Sequence, residues 1–176
     1  ADCFKKSFTL ARSLGVETAL DFSSFGVVEA CRKLFDELFA EKMIDIIIAN
    51  EDEAYAYAGV KEEAALDVLA QKAKVAVVKI GKRGALIAKD GKVTRVQAGP
   101  AKAIDTTGAG DLWASGFLYG YMNGWDMERS GNLGSVVSNE VALFATSTGR
   151  YPPASFSRKS PSSPGTSTSN SSFVIF

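Results

Sequence analysis

The feature that most constrains this fold is the segment Met43–Ala49, which is almost entirely apolar and rich in isoleucine. A strand with one face in water alternates polar and apolar residues, whereas a near-continuous β-branched run is typical of a parallel strand covered on both faces. Residues 74–80 have the same character. Helical patterns lie between these runs, so the sequence predicts a three-layer α/β/α domain with a mainly parallel sheet.

Helices and strands alternate along the predicted domain. The predicted helices cover residues 2–14, 26–42, 51–58, 61–73, 109–123 and 126–146, and the predicted strands cover residues 16–22, 43–49, 74–80, 85–89 and 92–97. Asp90-Gly91 separates the last two strands and is a two-residue hairpin signal. Trp113, Phe117 and Tyr121 recur at helical spacing, which favours a role in the core over contact with a ligand.

Composition excludes several classes of function. Twenty basic residues balance twenty acidic ones, so a nucleic-acid partner is not expected. The absence of histidine excludes histidine bases, histidine triads and histidine metal sites. Only two cysteines occur, which fits a reducing compartment and predicts a cytoplasmic protein. The apolar runs are too short to span a membrane, so no membrane partner is expected.

A glycine-rich turn, Gly108-Ala109-Gly110-Asp111, leads into the predicted helix 109–123. Amide groups and the positive end of the helix dipole meet at such a turn and favour an anion. A carboxylate beside a bound phosphate would be suited to accept a proton from an attacking hydroxyl. A plain glycine loop entering a core helix is an equal alternative. Trp113 at the third glycine position excludes a Rossmann fingerprint, and no Gly-Lys-Ser/Thr follows to make a P-loop.

Three other polar segments have ordinary structural interpretations. Asn50 and Glu53 fit a capping box at a helix start, which is the better interpretation from the residues alone. Lys79 to Gly84 fits a turn between two strands. Asp21 ends a predicted strand and could face a ligand at that edge of the sheet, although an ordinary turn aspartate is favoured.

The stretch Asp105-Thr106-Thr107-Gly108-Ala109-Gly110-Asp111, followed by Trp113, Gly116 and Phe117, resembles the C-terminal signature of the ribokinase (PfkB-type) family of carbohydrate and nucleoside kinases. The resemblance implies a ribokinase-like fold, ATP as phosphoryl donor and magnesium. It implies that Gly108, Ala109 and Gly110 form an anion hole for the transferred phosphoryl group, with Asp111 as catalytic base. Thr106 and Thr107 are expected beside the nucleotide.

Two further segments resemble motifs of the same family. The Asn-x-x-Glu of Asn50 and Glu53 matches residues that help to place magnesium, largely through water, which suits an ion that keeps several waters. Lys79, Gly81 and Gly84 match a loop that borders the nucleotide. Asp105 corresponds to a position often linked to a monovalent cation such as K⁺.

The resemblance covers roughly residues 1–140 and matches the C-terminal half of such a kinase. The chain begins Ala1-Asp2-Cys3 without an initiator methionine, so we expect a fragment, with residues 1–150 forming the kinase part. Residues 151–176, rich in serine and proline, are expected to be a disordered or non-native tail. A frame-shifted reading of the gene would explain the change in sequence after Ser138.

The expected substrate is a sugar or a nucleoside, with a lean toward the adenosine-kinase-like branch. A catalytically inactive nucleotide-binding fragment is the alternative, and a full-length parent could form a homodimer.

Overall fold

The computed structural model describes residues 2–99, 108–148 and 173–175. The elements, in chain order, are α1 (Asp2–Ser13), β1 (Glu17–Asp21), α2 (Phe25–Ala40), β2 (Ile46–Asn50), α3 (Glu51–Ala58), α4 (Glu62–Ala70), β3 (Val75–Lys79), β4 (Ala85–Lys89), β5 (Lys92–Val96), α5 (Ala109–Met122), α6 (Met127–Thr148) and β6 (Phe173–Ile175). The predicted alternation of helices and strands is confirmed through α6.

The strands form one mixed sheet in the order β5-β4-β3-β2-β1-β6. The pairs β1–β2, β2–β3 and β1–β6 are parallel, whereas β3–β4 and β4–β5 are antiparallel. Asp90 and Gly91 join β4 to β5 with φ values of 50° and 73°. Two consecutive positive φ values are typical of the type I′ turn that the Asp-Gly pair predicts.

Helices cover both faces of the sheet, so the predicted three-layer α/β/α architecture is confirmed. On one face, Phe22, Phe35, Phe39 and Tyr57 form an aromatic cluster between β1 and helices α2 and α3. On the other face, side chains of α5 pack on the alternate residues of β1 to β4. Trp113 and Phe117 are buried there, with their rings stacked at 5.3 Å, which confirms their predicted place in the core.

Glycines allow α5 and α6 to approach each other closely. A Cβ atom added at Gly116 would lie 2.9 Å from the Cα atom of Gly134, and one added at Gly134 would lie 2.7 Å from the carbonyl oxygen of Trp113. Both distances are shorter than a Cβ atom tolerates, so the two glycines are needed for this packing. The close packing of α5 against α6 fixes α5, and therefore its N-terminus, against the sheet.

The C-terminal elements extend beyond the point where the sequence changes character. Helix α6 continues to Thr148, so the change after Ser138 does not end it. Phe173–Ile175 forms strand β6 beside β1, within the segment that the sequence predicts as a disordered tail. The other residues of that predicted tail lie outside the described residues.

None of the described helices is both long enough and apolar enough to cross a membrane.

Candidate active site

Three polar residues end three neighbouring parallel strands at one edge of the sheet. Asp21 ends β1, Asn50 ends β2 and Lys79 ends β3. The carboxyl ends of parallel strands are where open α/β sheets bind their ligands. The strand order β3-β2-β1 brings these residues together, although they are far apart in the sequence.

Lys79 and Asp21 form an ion pair across the end of β2. The distance from Nζ of Lys79 to Oδ2 of Asp21 is 3.2 Å, and their side chains are only 14% and 18% exposed. Asp21 Oδ1 accepts a hydrogen bond from the Ser23 amide at 3.2 Å. Asp21 is therefore both the turn residue that the sequence favours and a group that faces the candidate site.

Asn50 and Glu53 form the predicted capping box at the start of α3. Asn50 Oδ1 accepts a hydrogen bond from the Glu53 amide at 2.9 Å, while the Glu53 carboxylate accepts bonds from the Asn50 amide at 2.8 Å and from Asn50 Nδ2 at 2.7 Å. Glu53 is only 3% exposed. Burial raises the pKa of Glu53, the hydrogen bond from the Asn50 amide opposes this rise, and the charges of Asp21 and Lys79 add a smaller rise and a smaller lowering.

Helix α5 begins beside this edge without a capping side chain among the described residues. Gly108 has φ of 77°, and the first helical hydrogen bond runs from the Leu112 amide to the Gly108 carbonyl oxygen at 3.1 Å. The amides of Ala109, Gly110 and Asp111 precede that bond and have no partner within the helix. The Asp111 side chain is exposed in this first turn.

The start of α5 also lies close to the strand ends. A Cβ atom added at Gly110 would lie 3.3 Å from Nζ of Lys79. The structure therefore brings the Lys79 ammonium to the first turn of α5, which presents its free amides and also carries the exposed Asp111. Such a cluster of donors beside an exposed carboxylate can hold an anion while a proton is removed from a neighbouring hydroxyl.

The loop between β3 and β4 contains two glycines with different roles. Gly81 and Arg83 bound a short 3₁₀ turn, and Ile80 donates its amide to the Gly84 carbonyl oxygen at 2.8 Å. A Cβ atom at Gly84 would lie 1.8 Å from the carbonyl oxygen of Val96, whereas one at Gly81 would have room. Packing against β5 therefore explains why residue 84 is a glycine, and the nucleotide contacts of Gly81 and Gly84 stay predictions.

Arg83 is half-exposed and forms ion pairs with Glu51 and Glu62. These contacts tie the 3₁₀ turn to the starts of α3 and α4.

A family model for pfkB family carbohydrate kinases matches residues 7–149. The chain belongs to the pfkB family. The match extends past residue 140, where the resemblance by motif stops. The α/β/α architecture is accordingly the ribokinase-like fold.

Individual pfkB relatives include kinases for different substrates. A 5-dehydro-2-deoxygluconokinase of Bacillus subtilis is 33% identical over 69% of this chain and 38% of the relative. An ATP-dependent 6-phosphofructokinase of Thermoanaerobacterium thermosaccharolyticum is 34% identical over 54% of this chain and 30% of the relative. The solved adenosine kinase of Sinorhizobium meliloti is 34% identical, with a TM-score of 0.76 over 81% of this chain and 44% of that one. The chain thus spans less than half the length of these relatives.

The carboxyl ends of the strands and the start of α5 bring together several of the residues that the sequence predicts for the site. Asn50, Glu53, Lys79 and Asp111 lie around the strand ends together with the α5 amides. Asp105, Thr106 and Thr107 lie outside the described residues, so their expected roles stay predictions. Sequence reasoning missed the contact between Asp21 and Lys79. The available signal was that both residues end strands of one parallel sheet.

No group of three or more aspartate, glutamate, histidine or cysteine side chains among the described residues could hold a metal ion. Both oxygens of Glu53 already accept hydrogen bonds from Asn50. These residues fit an ion that is held mainly by water and by the phosphates of a substrate, as Mg²⁺ often is, and do not form a dedicated cage.

Proposed function

We propose that this chain carries the phosphoryl-transfer site of an ATP-dependent kinase that acts on a hydroxyl of a sugar or nucleoside. The single observation that carries the proposal is that Lys79 lies beside the uncapped first turn of α5, which also carries the exposed Asp111. Membership of the pfkB family supports the reaction type. The name of one relative includes ATP dependence, which supports ATP as donor.

Asp111 is proposed as the general base. Its carboxylate would accept the proton of the acceptor hydroxyl while the hydroxyl oxygen forms a bond to the γ-phosphorus and the bond to the ADP oxygen breaks. Exposure of Asp111 supports this role, because the side chain must reach a bound acceptor.

The amides of Ala109 and Gly110, together with Gly108, are proposed as the anion hole. Hydrogen bonds from these amides would stabilise negative charge on the transferred phosphoryl oxygens. Gly108 supports this arrangement because its φ of 77° is a conformation that glycine adopts without strain. Lys79 and Gly81 are proposed to border the phosphate chain of the nucleotide.

Asn50 and Glu53 are proposed to order magnesium, mainly through water molecules. A bound Mg²⁺ ion would neutralise phosphate charge during transfer. The capping box and this role are compatible, because each carboxylate oxygen can accept more than one hydrogen bond. A monovalent cation near Asp105 remains a proposal from the family resemblance alone.

The substrate class covers both sugars and nucleosides, because relatives of both kinds match this chain at similar identity. The lean toward an adenosine-kinase-like substrate is supported by the solved adenosine kinase. A catalytically inactive nucleotide-binding chain is the second candidate. It is favoured by the fact that the chain spans 44% of that kinase.

The test measures ATP binding and ADP release with a panel of sugars and adenosine as acceptors. Asp111→Ala is expected to lower turnover by about 10²- to 10⁴-fold, the range typical of a lost general base, while ATP affinity is retained. Glu128→Ala is the matched control, because Glu128 is an exposed acid in the first turn of α6 and should leave turnover unchanged.

ATP binding without turnover on any acceptor would favour the inactive nucleotide-binding chain. Absence of ATP binding, or full turnover by Asp111→Ala, would contradict the proposed function.

A further inference from the structure

The ion pair between Asp21 and Lys79 joins two strands that are not neighbours. Strand β2 lies between β1 and β3, with Asp21 beside Ile48 and Lys79 beside Asn50. Ile48 and Asn50 are two residues apart, and residues at that spacing share one face of a sheet. Ile48 belongs to the core cluster that packs on α5. The side chains of Asp21 and Lys79 therefore lie on the α5 side of the sheet.

This pair is far more buried than the other ion pairs in the described part of the chain. Lys79 is 14% exposed, whereas the lysines and arginines of the other pairs are 41% to 64% exposed. Removing an ammonium group from water is costly unless other groups compensate for it. The same two residues could form an ion pair at the surface with a smaller loss of hydration. The burial of this pair therefore indicates a functional role.

The surroundings of the ammonium group are unfavourable for a cation alone. Nζ of Lys79 lies beside Gly110 at the start of α5, where the positive end of the helix dipole favours anions. An ammonium group has three donors. Among the described residues, Asp21 accepts a hydrogen bond from it. Donors are therefore left for an anion bound at the α5 amides.

Each oxygen of the Asp21 carboxylate has its own partner. Oδ1 accepts the Ser23 amide and Oδ2 accepts the Lys79 ammonium. The hydrogen bond from the Ser23 amide fixes the Asp21 carboxylate in the turn after β1. The ion pair with this fixed carboxylate then holds the end of the long Lys79 side chain. Lys79 can keep this contact and still donate to a second acceptor.

We propose that Asp21 is a positioning residue, which holds the Lys79 ammonium at the start of α5 so that it contacts the phosphate chain of a bound nucleotide. The proposal rests on the proposed function. It assigns Asp21 a stabilising effect on nucleotide binding, although its negative charge by itself would repel phosphate.

The test compares the dissociation constants of ATP and AMP for the chain by titration calorimetry. The preference for ATP over AMP isolates the contribution of the outer phosphates. Lys79→Met is expected to lower that preference about tenfold, the effect of losing one charged hydrogen bond. Asp21→Asn should lower it about threefold, and Lys79→Arg should restore most of it, because arginine keeps the charge. Lys74→Met, at the other end of β3, is the control and should leave the preference for ATP over AMP unchanged.

Asp21→Asn keeps an oxygen that can accept the Ser23 amide, so this variant should fold even if Lys79→Met does not. Thermal unfolding of each variant checks this. Unchanged or tighter ATP binding by Asp21→Asn overturns the positioning role, because it shows that Asp21 only repels phosphate or competes for Lys79. If the unmodified chain binds ATP no better than AMP, the phosphate site of the proposed function fails together with this inference.

Discussion

The two ends of the central strands carry similar residues in different settings. At the amino end, Lys74 contacts Asp45 at 2.8 Å and Glu17 at 3.5 Å and is 64% exposed. At the carboxyl end, Lys79 contacts Asp21 at 3.2 Å and is 14% exposed. Both clusters join a lysine of β3 or its flank to acidic groups from β1 or near β2, so residue type alone does not distinguish them.

The difference lies in what the acidic and basic groups leave unsatisfied. At the amino end, Asp45 accepts hydrogen bonds from the Thr18 amide at 2.9 Å and its hydroxyl at 3.2 Å, and that hydroxyl also lies 2.7 Å from the Met43 carbonyl oxygen. This network provides hydrogen-bond partners for backbone groups of β1 and of the segment before β2. At the carboxyl end, the α5 amides lack helical partners and Asp111 is exposed. Spare hydrogen-bonding capacity therefore supports the carboxyl end as the proposed ligand site.

The largest structural effect should come from a residue at the carboxyl end that serves packing. Gly84→Ala would place a Cβ atom 1.8 Å from the Val96 carbonyl oxygen at φ of 95°, so we expect a loss of at least about 3 kcal/mol of unfolding free energy. Gly81→Ala, at φ of 55° with only an ordinary contact of 3.8 Å to the Glu51 carboxylate, should cost about 1–2 kcal/mol. Denaturant unfolding measures both variants. Equal losses would show that Gly84 is not a packing residue.

The next effect tests the structural role of the amino end. Asp45→Ala removes the acceptor of the buried Thr18 amide, and we expect a loss of about 2 kcal/mol of unfolding free energy. Asp45→Asn keeps an acceptor oxygen and should lose less than half as much. The affinity for ATP should be unchanged in both variants. A large fall in ATP affinity with normal stability would place function at the amino end instead.

A smaller effect concerns acid pH at the carboxyl end. Burial raises the pKa of Glu53 above its ordinary value of 4.5, so the folded state holds the proton more tightly than the unfolded state. Stability should therefore fall as pH rises from about 4.5 through the folded-state pKa. As pH rises from about 4.5 through the folded-state pKa of Glu53, the unmodified protein should lose unfolding free energy relative to the Glu53→Gln variant. A flat difference would show that Glu53 titrates as a solvated carboxyl group.

The smallest effect concerns alkaline pH near the amino end. Burial, with help from the nearby Glu17 carboxylate, raises the pKa of Tyr121 from 10.0 to about 12. The folded state keeps this proton to higher pH, so the stability it contributes is present below pH 10 and is lost through about pH 12. In an absorbance titration of tyrosine ionisation, the Tyr121→Phe variant should lack the phenolate signal that appears near pH 12 in the unmodified protein. Glu17→Gln should shift that signal to lower pH, and no change in either variant would contradict the assignment.

Local patterns allowed much of the fold and part of the site to be predicted. The apolar run of β2, the Asp-Gly hairpin and the Asn50–Glu53 capping box depend on residues close in sequence, and each was predicted correctly. Asp111 was correctly placed in the first turn of α5 for the same reason. Its role as base stays a prediction.

Other features depend on contacts between distant segments. The Asp21–Lys79 pair spans 58 residues, and it exists because β2 separates two strands whose register places both side chains on the α5 face. Strand β6 and the close contact of Gly84 with Val96 also need partners from elsewhere in the chain. The sequence alone therefore determined the elements through α6, the capping box of α3 and the family of the chain. The tertiary structure decided which end of the strands holds buried charge and spare donors, because burial and register arise only when the strands pair.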